Sequence, residues 1–432
     1  MNLALVSCRS PFLDSDKIYP PLGLMYLESV VSQELPQFKT DLIDSYDLDK
    51  RPFEKYDIIG ISIMTPQREE ATKILDHIRK KYPTKVVIAG GPHALYYTYD
   101  LMNQDWDYIV TKDGERDLIK ILKGEADSKL LSDNISASDL KKMPRPNRLK
   151  WSNFLADYNY SLQGKRSTTM MTGRGCPELC SFCEEARTNI KWASEESIDQ
   201  EVQDIKDLGY EGIYIFDDLF AISTKMIKSY LKSIKKRDLI FRCNSQARYF
   251  TRNGDEMAKL LADHGCVEVA AGFESGSQKI LDNVQKRTTI EQNYKTIEYA
   301  RKHGIKVKGF MMIGLPGENL ETIAETEDFI KNAGMDDFQL SIYYPYKGTQ
   351  IRDNLERGKD DLIFEGEGLG AYGQKGGSTE SVVRTSALSS QDLLRIRDEL
   401  VMKYRPKSHL EKWNDKFFDT HLEDKNKLKV LK

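Results

Sequence analysis

Short apolar segments alternate with amphipathic ones through most of the chain, and this alternation restricts the fold more than any other feature. Helices are predicted at 22–35 and 68–82, between apolar strands. One of these strands, YDIIGISIM, is apolar almost throughout, as expected of a strand buried on both faces. The pattern over 1–142 predicts an α/β domain with a doubly wound, Rossmann-like parallel sheet. In such sheets ligands bind at the carboxyl ends of the strands. The predicted strands are NLALVSC, KTDLIDSY, YDIIGISIM, KVVIAGG and DYIVTKDGE.

The alternation stops at Pro144 and Pro146 and resumes after residue 165. We interpret 143–165 as a linker packed on the surface. Residues 166–350 then contain six strand–helix units, which predict a partial (β/α)6 barrel, since a closed barrel has eight. In one of these units, Thr289 and Gln292 have the spacing of a helix capping box.

Residues 351–432 form a C-terminal extension that we predict to cap the substrate site. It contains a glycine-rich loop at 365–377, a predicted helix at 390–404 and a charged end. The loop and the aromatic side chains before the extension are candidate walls of a substrate cavity, although core packing would explain the aromatic residues equally well. These aromatic residues are Tyr343, Tyr344 and Tyr346.

Charge is balanced, with 64 basic and 67 acidic residues and a net charge of −3. The whole chain therefore has no long-range attraction for nucleic acid or for an anionic membrane, and we expect neither as a partner. No run approaches the roughly 18 apolar residues of a membrane span. The first residues lack the basic region of a signal peptide, so we expect a cytoplasmic protein.

Three of the six cysteines crowd into 173-GRGCPELCSFC-183, directly after a predicted strand. Their C-x3-C-x2-C spacing brings together thiolates, which suit zinc and iron–sulfur clusters. Three thiolates can hold a [4Fe–4S] cube and leave its fourth iron open to a substrate. A closed zinc site needs a fourth ligand nearby, and no histidine lies between 94 and 263. We therefore favour a cluster over zinc or three unpaired thiols.

The cysteine segment resembles the cluster motif of the radical S-adenosylmethionine (radical SAM) superfamily. Further segments resemble landmarks of that superfamily in the expected order: 216-FDDLF-220, 272-GFESGS-277, 314-GLPGE-318 and 344-YPYKGT-349. In the last of these, Lys347 replaces the commoner proline. Upstream, PPLGLMYL, GISIMTP and AGGPHA resemble the cobalamin (B12)-binding domain that is fused to one branch of the superfamily. The resemblance covers residues 1–350.

The resemblance implies that Cys176, Cys180 and Cys183 ligate the cluster, while the methionyl amine and carboxylate of SAM chelate the fourth iron. One electron from the cluster then cleaves the sulfonium of SAM. Acidic residues at strand ends could accept hydrogen bonds from SAM, and an arginine could pair with its carboxylate. A turn, a surface salt bridge or core packing would explain the same residues. The implied SAM-binding residues are Phe182, Asp217, Asp218, Arg248, Glu274 and Gly314.

The resemblance also implies cobalamin at the N-terminal domain. The histidine of the well-known D-x-H-x-x-G motif is missing from 44-DSYDLDK-50, as is common in this branch. The turn 112-KDGER-116 departs mildly from the G-E-x-E pattern of the family. Glycines at strand ends would alternatively serve only tight turns, and His93 is expected to make loop or polar contacts. The implied cobalamin-binding residues are Gly23, Ser62, Thr65, Gly90, Gly91 and Glu115.

The leading expectation is a cobalamin-dependent radical SAM enzyme, most commonly a methyltransferase acting on an unactivated carbon or a phosphinate centre. Such an enzyme takes a small-molecule or natural-product substrate and an electron from a flavodoxin or ferredoxin. One alternative is a B12-independent cyclase or rearrangement enzyme with a scaffold N-terminal domain, and another is a non-catalytic cofactor-binding sensor. A methylthiotransferase is disfavoured, because its N-terminal domain carries three more cysteines whereas 1–150 contains only Cys8.

Overall fold

The computed structural model describes residues 1–10, 17–45, 53–366 and 380–406. Most of the predicted glycine-rich loop and the charged C-terminal end lie outside these ranges. The described residues form two α/β units, followed by an extension that packs on the second unit. Among them, no helix is both long and apolar enough to cross a membrane.

The first unit is built on a six-stranded sheet in which all strands are parallel. The strand order is β2-β1-β3-β4-β5-β6. The order reverses between β1 and β3, where a crevice opens at the carboxyl edge of such a sheet. The strands are β1 (Asn2–Ser7), β2 (Lys39–Asp44), β3 (Ile58–Ser62), β4 (Val86–Gly90), β5 (Tyr108–Val110) and β6 (Leu130–Leu131).

Helices cover both faces of this sheet, which confirms the doubly wound fold. Leu3 and Leu5 of β1 point into one core, and Ala4 and Val6 into the other, as the alternation of a strand requires. The predicted helices at 22–35 and 68–82 are present, and four further helices, three of them short, were not predicted. The helices are α1 (Leu22–Glu34), α2 (Arg68–Lys81), α3 (Pro92–Tyr96), α4 (Thr98–Met102), α5 (Gly114–Lys123) and α6 (Ala137–Lys142).

The second unit is a sheet of six parallel strands in chain order, with one short antiparallel strand beside the first. The two edges of this sheet are not hydrogen-bonded to each other, so it forms the predicted partial barrel. A small antiparallel ribbon of β9 and β10 lies beyond the end of β8. The strands are β7 (Ser161–Leu162), β8 (Lys165–Met170), β9 (Gly173–Arg174), β10 (Lys191–Trp192), β11 (Gly212–Ile215), β12 (Ile240–Ser245), β13 (Cys266–Glu274), β14 (Lys306–Ile313) and β15 (Asp337–Ile342).

Helices pack on the outer face of the partial barrel around one large apolar core. The capping box of Thr289 and Gln292 begins a helix as predicted. The helices are α7 (Ser152–Leu155), α8 (Glu195–Asp207), α9 (Thr224–Lys236), α10 (Ala247–Phe250), α11 (Glu256–Asp263), α12 (Gln278–Asn283), α13 (Ile290–Lys302), α14 (Leu320–Asn332), α15 (Gln350–Glu356) and α16 (Ser390–Tyr404).

The segment 143–165 is not confined to the surface, so that part of its interpretation is wrong. Arg148 is fully buried, and its guanidinium donates to Glu201 on α8 at 2.7 Å and to the carbonyl of Thr169 at 2.6 Å. A buried charge needs such partners. An isolated sequence window shows only an arginine near two prolines, and Glu201 lies 53 residues away.

The C-terminal extension shares the core of the barrel. Its helix α16 and the short ribbon of β16 (Ile363–Phe364) and β17 (Val383–Arg384) contribute residues such as Val383 and Leu393 to that core. Tyr343 and Tyr344 are buried in the same core, and Tyr346 packs against it. Core packing therefore accounts for these tyrosines better than a cavity wall does.

Candidate active site

The three clustered cysteines lie on one loop, 175–190, which connects β9 to β10. Backbone hydrogen bonds close the loop: Cys176 donates to Thr188 Oγ1 at 2.7 Å, and Arg187 donates to the carbonyl of Glu178 at 2.8 Å. Gly175 has φ +99°, and a Cβ there would lie 2.7 Å from the carbonyl oxygen of Asn189. The loop therefore needs glycine at this position.

All three cysteines are free thiols, with Cys180 buried and Cys176 and Cys183 half-buried. Burial raises the pKa of Cys176 to about 11 and that of Cys183 to about 12. Binding of a metal centre would therefore release protons at neutral pH. Among the described residues, no three His, Cys, Asp or Glu side chains are grouped to hold a single metal ion. A [4Fe–4S] cubane does not need three side chains grouped around one ion, because each thiolate binds a different iron.

A buried ion pair lies behind the cysteine loop. Lys286 donates to Glu274 Oε1 at 2.7 Å, and its ammonium lies 5.7 Å from the centre of the Phe182 ring. Burial alone would lower the pKa of Lys286, but the nearby Glu274 carboxylate and the Cys180 thiol raise it. The loop is thus backed by a fixed positive charge that the sequence motifs do not indicate.

Glu274 itself adopts a strained backbone conformation. Its φ is +63°, at a register shift between β13 and β14. A non-glycine residue in the left-handed region costs free energy, and such strain is concentrated at functional sites. The predicted site residue Glu274 is therefore held in an unusual backbone geometry, with its carboxylate bound by Lys286.

A second acidic side chain, Glu178, is buried between two of the cysteines. The hydroxyl of Tyr249 donates to Glu178 Oε1, and Arg248 Nε lies 3.6 Å from the same oxygen. Its other oxygen, Oε2, has no hydrogen-bond partner among the described residues. The predicted site residue Arg248 thus contacts the cysteine loop directly. Glu178 and Tyr249 were not singled out from the sequence, although Glu178 lies inside the motif.

The two aspartates after β11 have different surroundings. Asp217 is buried and accepts hydrogen bonds from the backbone N–H of Thr172 at 2.7 Å and from its hydroxyl at 2.5 Å. Burial raises the pKa of Asp217 to about 7. Asp218 is exposed and accepts from the backbone of Gly175 at 3.3 Å. Asp217 holds the segment that leads into the cysteine loop and Asp218 holds its first residue, but only Asp218 is exposed.

Gly314 follows β14 with φ +83°. Its N–H donates to Glu318 Oε2, and a Cβ would meet Leu393 at 3.2 Å and Val383 at 3.3 Å. Burial raises the pKa of Glu318 to about 8. The side of Gly314 where a side chain would stand is therefore covered by the C-terminal extension.

The predicted cobalamin residues of β3 and β4 meet at the carboxyl edge of the first sheet. Ser62 and Gly90 are opposite each other in the register, and Thr65 lies in a turn that follows β3. Gly91 has φ +91°, and a Cβ there would lie 2.8 Å from the backbone of Ile63. This glycine is thus required by the tight strand connection. Gly23 lies near the start of α1, with open space where a side chain would stand.

His93, at the start of α3, is buried and stacks on Tyr97 with ring centres 4.9 Å apart. Burial lowers its pKa to about 4, so the imidazole is neutral at neutral pH. The neighbouring Tyr96 donates its hydroxyl to the carbonyl of Glu184 at 3.2 Å, and Lys347 Nζ lies 4.8 Å from the Tyr97 ring centre. Helix α3 thus contacts the cysteine loop, and the residue that follows it, Tyr97, contacts the segment 344–349.

Glu115 does not stand alone at the carboxyl edge of the first sheet. Its Oε1 lies 2.7 Å from Arg174 Nη2, and Asp113 Oδ1 lies 3.2 Å from Nη1 of the same arginine. Asp113 also pairs with Lys191 at 3.0 Å. We call these four residues the inter-domain ion cluster. It joins the first sheet to the ribbon that carries the cysteine loop.

A known protein family matches the second α/β unit. Residues 170–330 match the family model described as the radical SAM superfamily. The match covers most of the barrel, and this part of the chain is thus similar to the radical SAM superfamily. An uncharacterized methyltransferase of Pyrococcus horikoshii is 28% identical over 359 residues, which cover 77% of this chain and 77% of that protein.

Two solved structures share both α/β units of this protein. The radical SAM methyltransferase TsrM of Kitasatospora setae, with cobalamin and a [4Fe–4S] cluster bound, has a TM-score of 0.68 at 17% identity. The alignment covers 84% of this chain and 77% of that one. The cobalamin-dependent radical enzyme OxsB, with aqua-cobalamin bound, has a TM-score of 0.67 at 20% identity, covering 83% of this chain and 55% of that one. This chain thus spans just over half of OxsB, and at these identities the likeness shows a shared fold.

Proposed function

We propose that the protein is a cobalamin-dependent radical SAM methyltransferase that acts on an unactivated carbon or a phosphinate centre of a small molecule. The observation that carries this proposal is the position of the cysteine loop. The loop lies at the carboxyl end of the barrel strand β8 and is tied to the first sheet by the inter-domain ion cluster. Two cofactor sites on the two units would therefore face one another.

The residues of the loop fit an iron–sulfur cluster. Cys176, Cys180 and Cys183 would hold a [4Fe–4S] cluster by three thiolates, with one iron left for SAM. When bound, the cluster supplies one electron to the sulfonium of SAM, and the cobalamin carries the methyl group. Lys286 keeps a positive charge behind the loop, which favours thiolates over thiols.

For SAM we propose Asp218 as the acceptor for the methionyl ammonium, because Asp217 already binds Thr172 through both oxygens. Arg248 would pair with the methionyl carboxylate, and the Glu178 carboxylate orients it. Glu274, Phe182 and Gly314 complete the proposed SAM set. Gly314 would contribute its backbone, since its other side is packed.

For cobalamin we propose the carboxyl edge of the first sheet as the site. Ser62 and Thr65 offer hydroxyls, and Gly90 and Gly91 leave the edge free of side chains. Gly23 lies beside open space on α1. Glu115 would act through Arg174 rather than by direct contact.

We assign residues 1–142 to the cobalamin domain, 143–165 to the connection, 166–350 to the radical SAM barrel and 351–432 to a substrate-capping extension. The contacts of Arg148 and Leu393 support a connection and an extension that are packed on the barrel. The electron would come from an external flavodoxin or ferredoxin.

The test uses the full chain, purified anaerobically, reconstituted with iron and sulfide and loaded with cobalamin. We expect the optical absorption of a cluster and of retained cobalamin, with 5′-deoxyadenosine formed from SAM. In the triple variant Cys176→Ala, Cys180→Ala and Cys183→Ala, iron binding and SAM cleavage should be lost. The matched control is Cys266→Ala, a buried cysteine of β13, which should keep both.

Other outcomes would point elsewhere. 5′-Deoxyadenosine without cobalamin retention would support a B12-independent enzyme with a scaffold domain. Cobalamin retention without SAM cleavage would support a sensor. Zinc uptake by the three cysteines, with no iron absorption, would contradict the enzymatic proposal altogether.

A further inference from the structure

We propose that the inner face of the partial barrel binds a flat, conjugated ring of the substrate against a wall of four aromatic side chains, two of them accessible and two buried behind them. This inference rests on the proposed function, since it names the class of substrate for the same site. The four residues, called the aromatic wall below, are Tyr19, Tyr160, Tyr214 and Phe216.

The alternation of side chains along β11 puts the wall on the inner face. Ile213 and Ile215 belong to the large core beneath the outer helices. Tyr214 lies between them and packs instead in a separate cluster with Tyr160 and Leu162. Successive side chains of a strand point to opposite faces, so Tyr214 points inward. Phe216, two residues further on, lies on the same side and directly precedes Asp217 at the carboxyl end.

The rings contact one another at tilted angles. Phe216 lies 4.8 Å from Tyr214 and 5.3 Å from Tyr19, measured between ring centres, with interplanar angles of 69° and 56°. Tyr19 also lies 5.1 Å from Tyr160, at 56°. Tyr19 belongs to the first unit, so the wall is assembled from both units. None of these pairs is stacked face to face, so none of these rings covers the face of another.

Two of the four rings keep a large accessible surface. Phe216 is 41% exposed and Tyr19 is 38% exposed, although both adjoin buried residues. Neighbouring aromatic side chains left accessible are typical of a binding surface. Aromatic rings prefer offset or edge-to-face partners, and a flat ring could meet Phe216 and Tyr19 in this way.

The floor of the wall carries no net charge. Arg242 lies 4.2 Å from the centre of the Tyr214 ring and pairs with Glu268 at 3.1 Å. Arg242 lies on β12, next to β11, and Glu268 lies on β13, one strand further, and the two charges neutralise each other. The wall therefore selects for an apolar ring rather than for a charged group.

Cobalamin is the other large ring that this enzyme would bind. The proposed cobalamin residues and the aromatic wall occupy different positions. The proposed cobalamin residues, such as Ser62 and Gly90, end strands of the first sheet. Tyr214 and Phe216 belong to β11 of the barrel, next to Asp217 and the cysteine loop. The barrel part of the wall therefore faces the substrate side of the site, and Tyr19, four residues before Gly23, reaches it from the first unit.

The test measures the affinity of two matched probes by calorimetry, in the full chain reconstituted with cluster and cobalamin. The aromatic probe is 2-naphthol, and the saturated probe is decahydro-2-naphthol; both are neutral at neutral pH. We expect the aromatic probe to bind more tightly. Phe216→Leu and Tyr19→Leu should each reduce this preference about two- to tenfold, the size of an aromatic contact beyond its area. Tyr99→Leu, an aromatic residue 76% exposed on α4, is the control and should leave the preference unchanged.

Three results would overturn the inference: equal affinity for the two probes, no binding of either, or binding of the aromatic probe only when cobalamin is left out of the reconstitution. Retention of the preference in both wall variants would overturn it as well. Assaying 5′-deoxyadenosine in the same preparations separates the two proposals. SAM cleavage without an aromatic preference would contradict only this inference, whereas the preference without SAM cleavage would contradict only the proposed function.

Discussion

Replacing Arg174 by leucine should loosen the cysteine loop from the first unit. The change leaves Glu115, whose side chain is 6% exposed, without its partner at 2.7 Å, whereas Asp113 keeps Lys191. Removing one member of a buried ion pair costs roughly 3–5 kcal/mol. Because the Arg174 side chain is still 19% exposed, water screens part of the interaction. We therefore expect a loss of about 3 kcal/mol.

Hydrogen exchange of peptides that span 173–192, followed by mass spectrometry, measures this loss. A decrease of about 3 kcal/mol in the opening free energy corresponds to exchange on the order of 100-fold faster. The control is Arg116→Leu. Arg116 directly follows Glu115 in the sequence. Its side chain is 50% exposed and pairs with Asp139. Such a surface pair contributes about 0–1 kcal/mol, so its loss should hardly change exchange.

A double variant tests the cause. Removing both Glu115 and Arg174 leaves no unpaired carboxylate, so Glu115→Leu combined with Arg174→Leu should exchange more slowly than Arg174→Leu alone. If the two changes simply add, or if Arg174→Leu behaves like Arg116→Leu, then the ion cluster does not hold the loop and our reasoning is wrong.

Three further predictions concern single positions. Gly175→Ala should lower the iron content after reconstitution, since its Cβ would lie 2.7 Å from a backbone oxygen, whereas Gly124→Ala, with nothing within 4 Å, should bind iron normally. Tyr249→Phe removes the hydroxyl that donates to the buried Glu178 and should destabilise the apo chain by about 1–3 kcal/mol in urea denaturation; no change would contradict the contact. Burial raises the pKa of Glu318 to about 8, so the folded state keeps its proton where the unfolded state loses it, and stability should fall from about pH 4.5 to about pH 8. Glu318→Gln should flatten this decline, and an unchanged pH profile would show that Glu318 does not cause it.

The alternation of apolar and amphipathic segments was sufficient to predict both sheets and most long helices. Period and length carry this information locally, as in α2 and α16. Most of the missed helices have four to seven residues and too little periodicity, so tertiary contacts decide them, whereas α5 has ten residues and an amphipathic pattern that could have been predicted. α3, for example, is packed against the cysteine loop through Tyr96.

The candidate site was predicted where a motif is local and missed where the fold brings distant residues together. The three cysteines are adjacent in sequence, so their grouping could be read directly. Lys286 meets Glu274 only because α12 turns the chain back. Glu115 meets Arg174 across 59 residues, and no local pattern indicates that pairing.

The packing of the C-terminal segment has a practical consequence for protein engineering. Ending the chain after residue 350 would strip α16 and β17 from Gly314 and would wet the apolar surface that Val383 and Leu393 now cover. Shortened versions meant for crystallisation or for swapping caps between homologous enzymes should therefore retain the chain through Tyr404, where α16 ends.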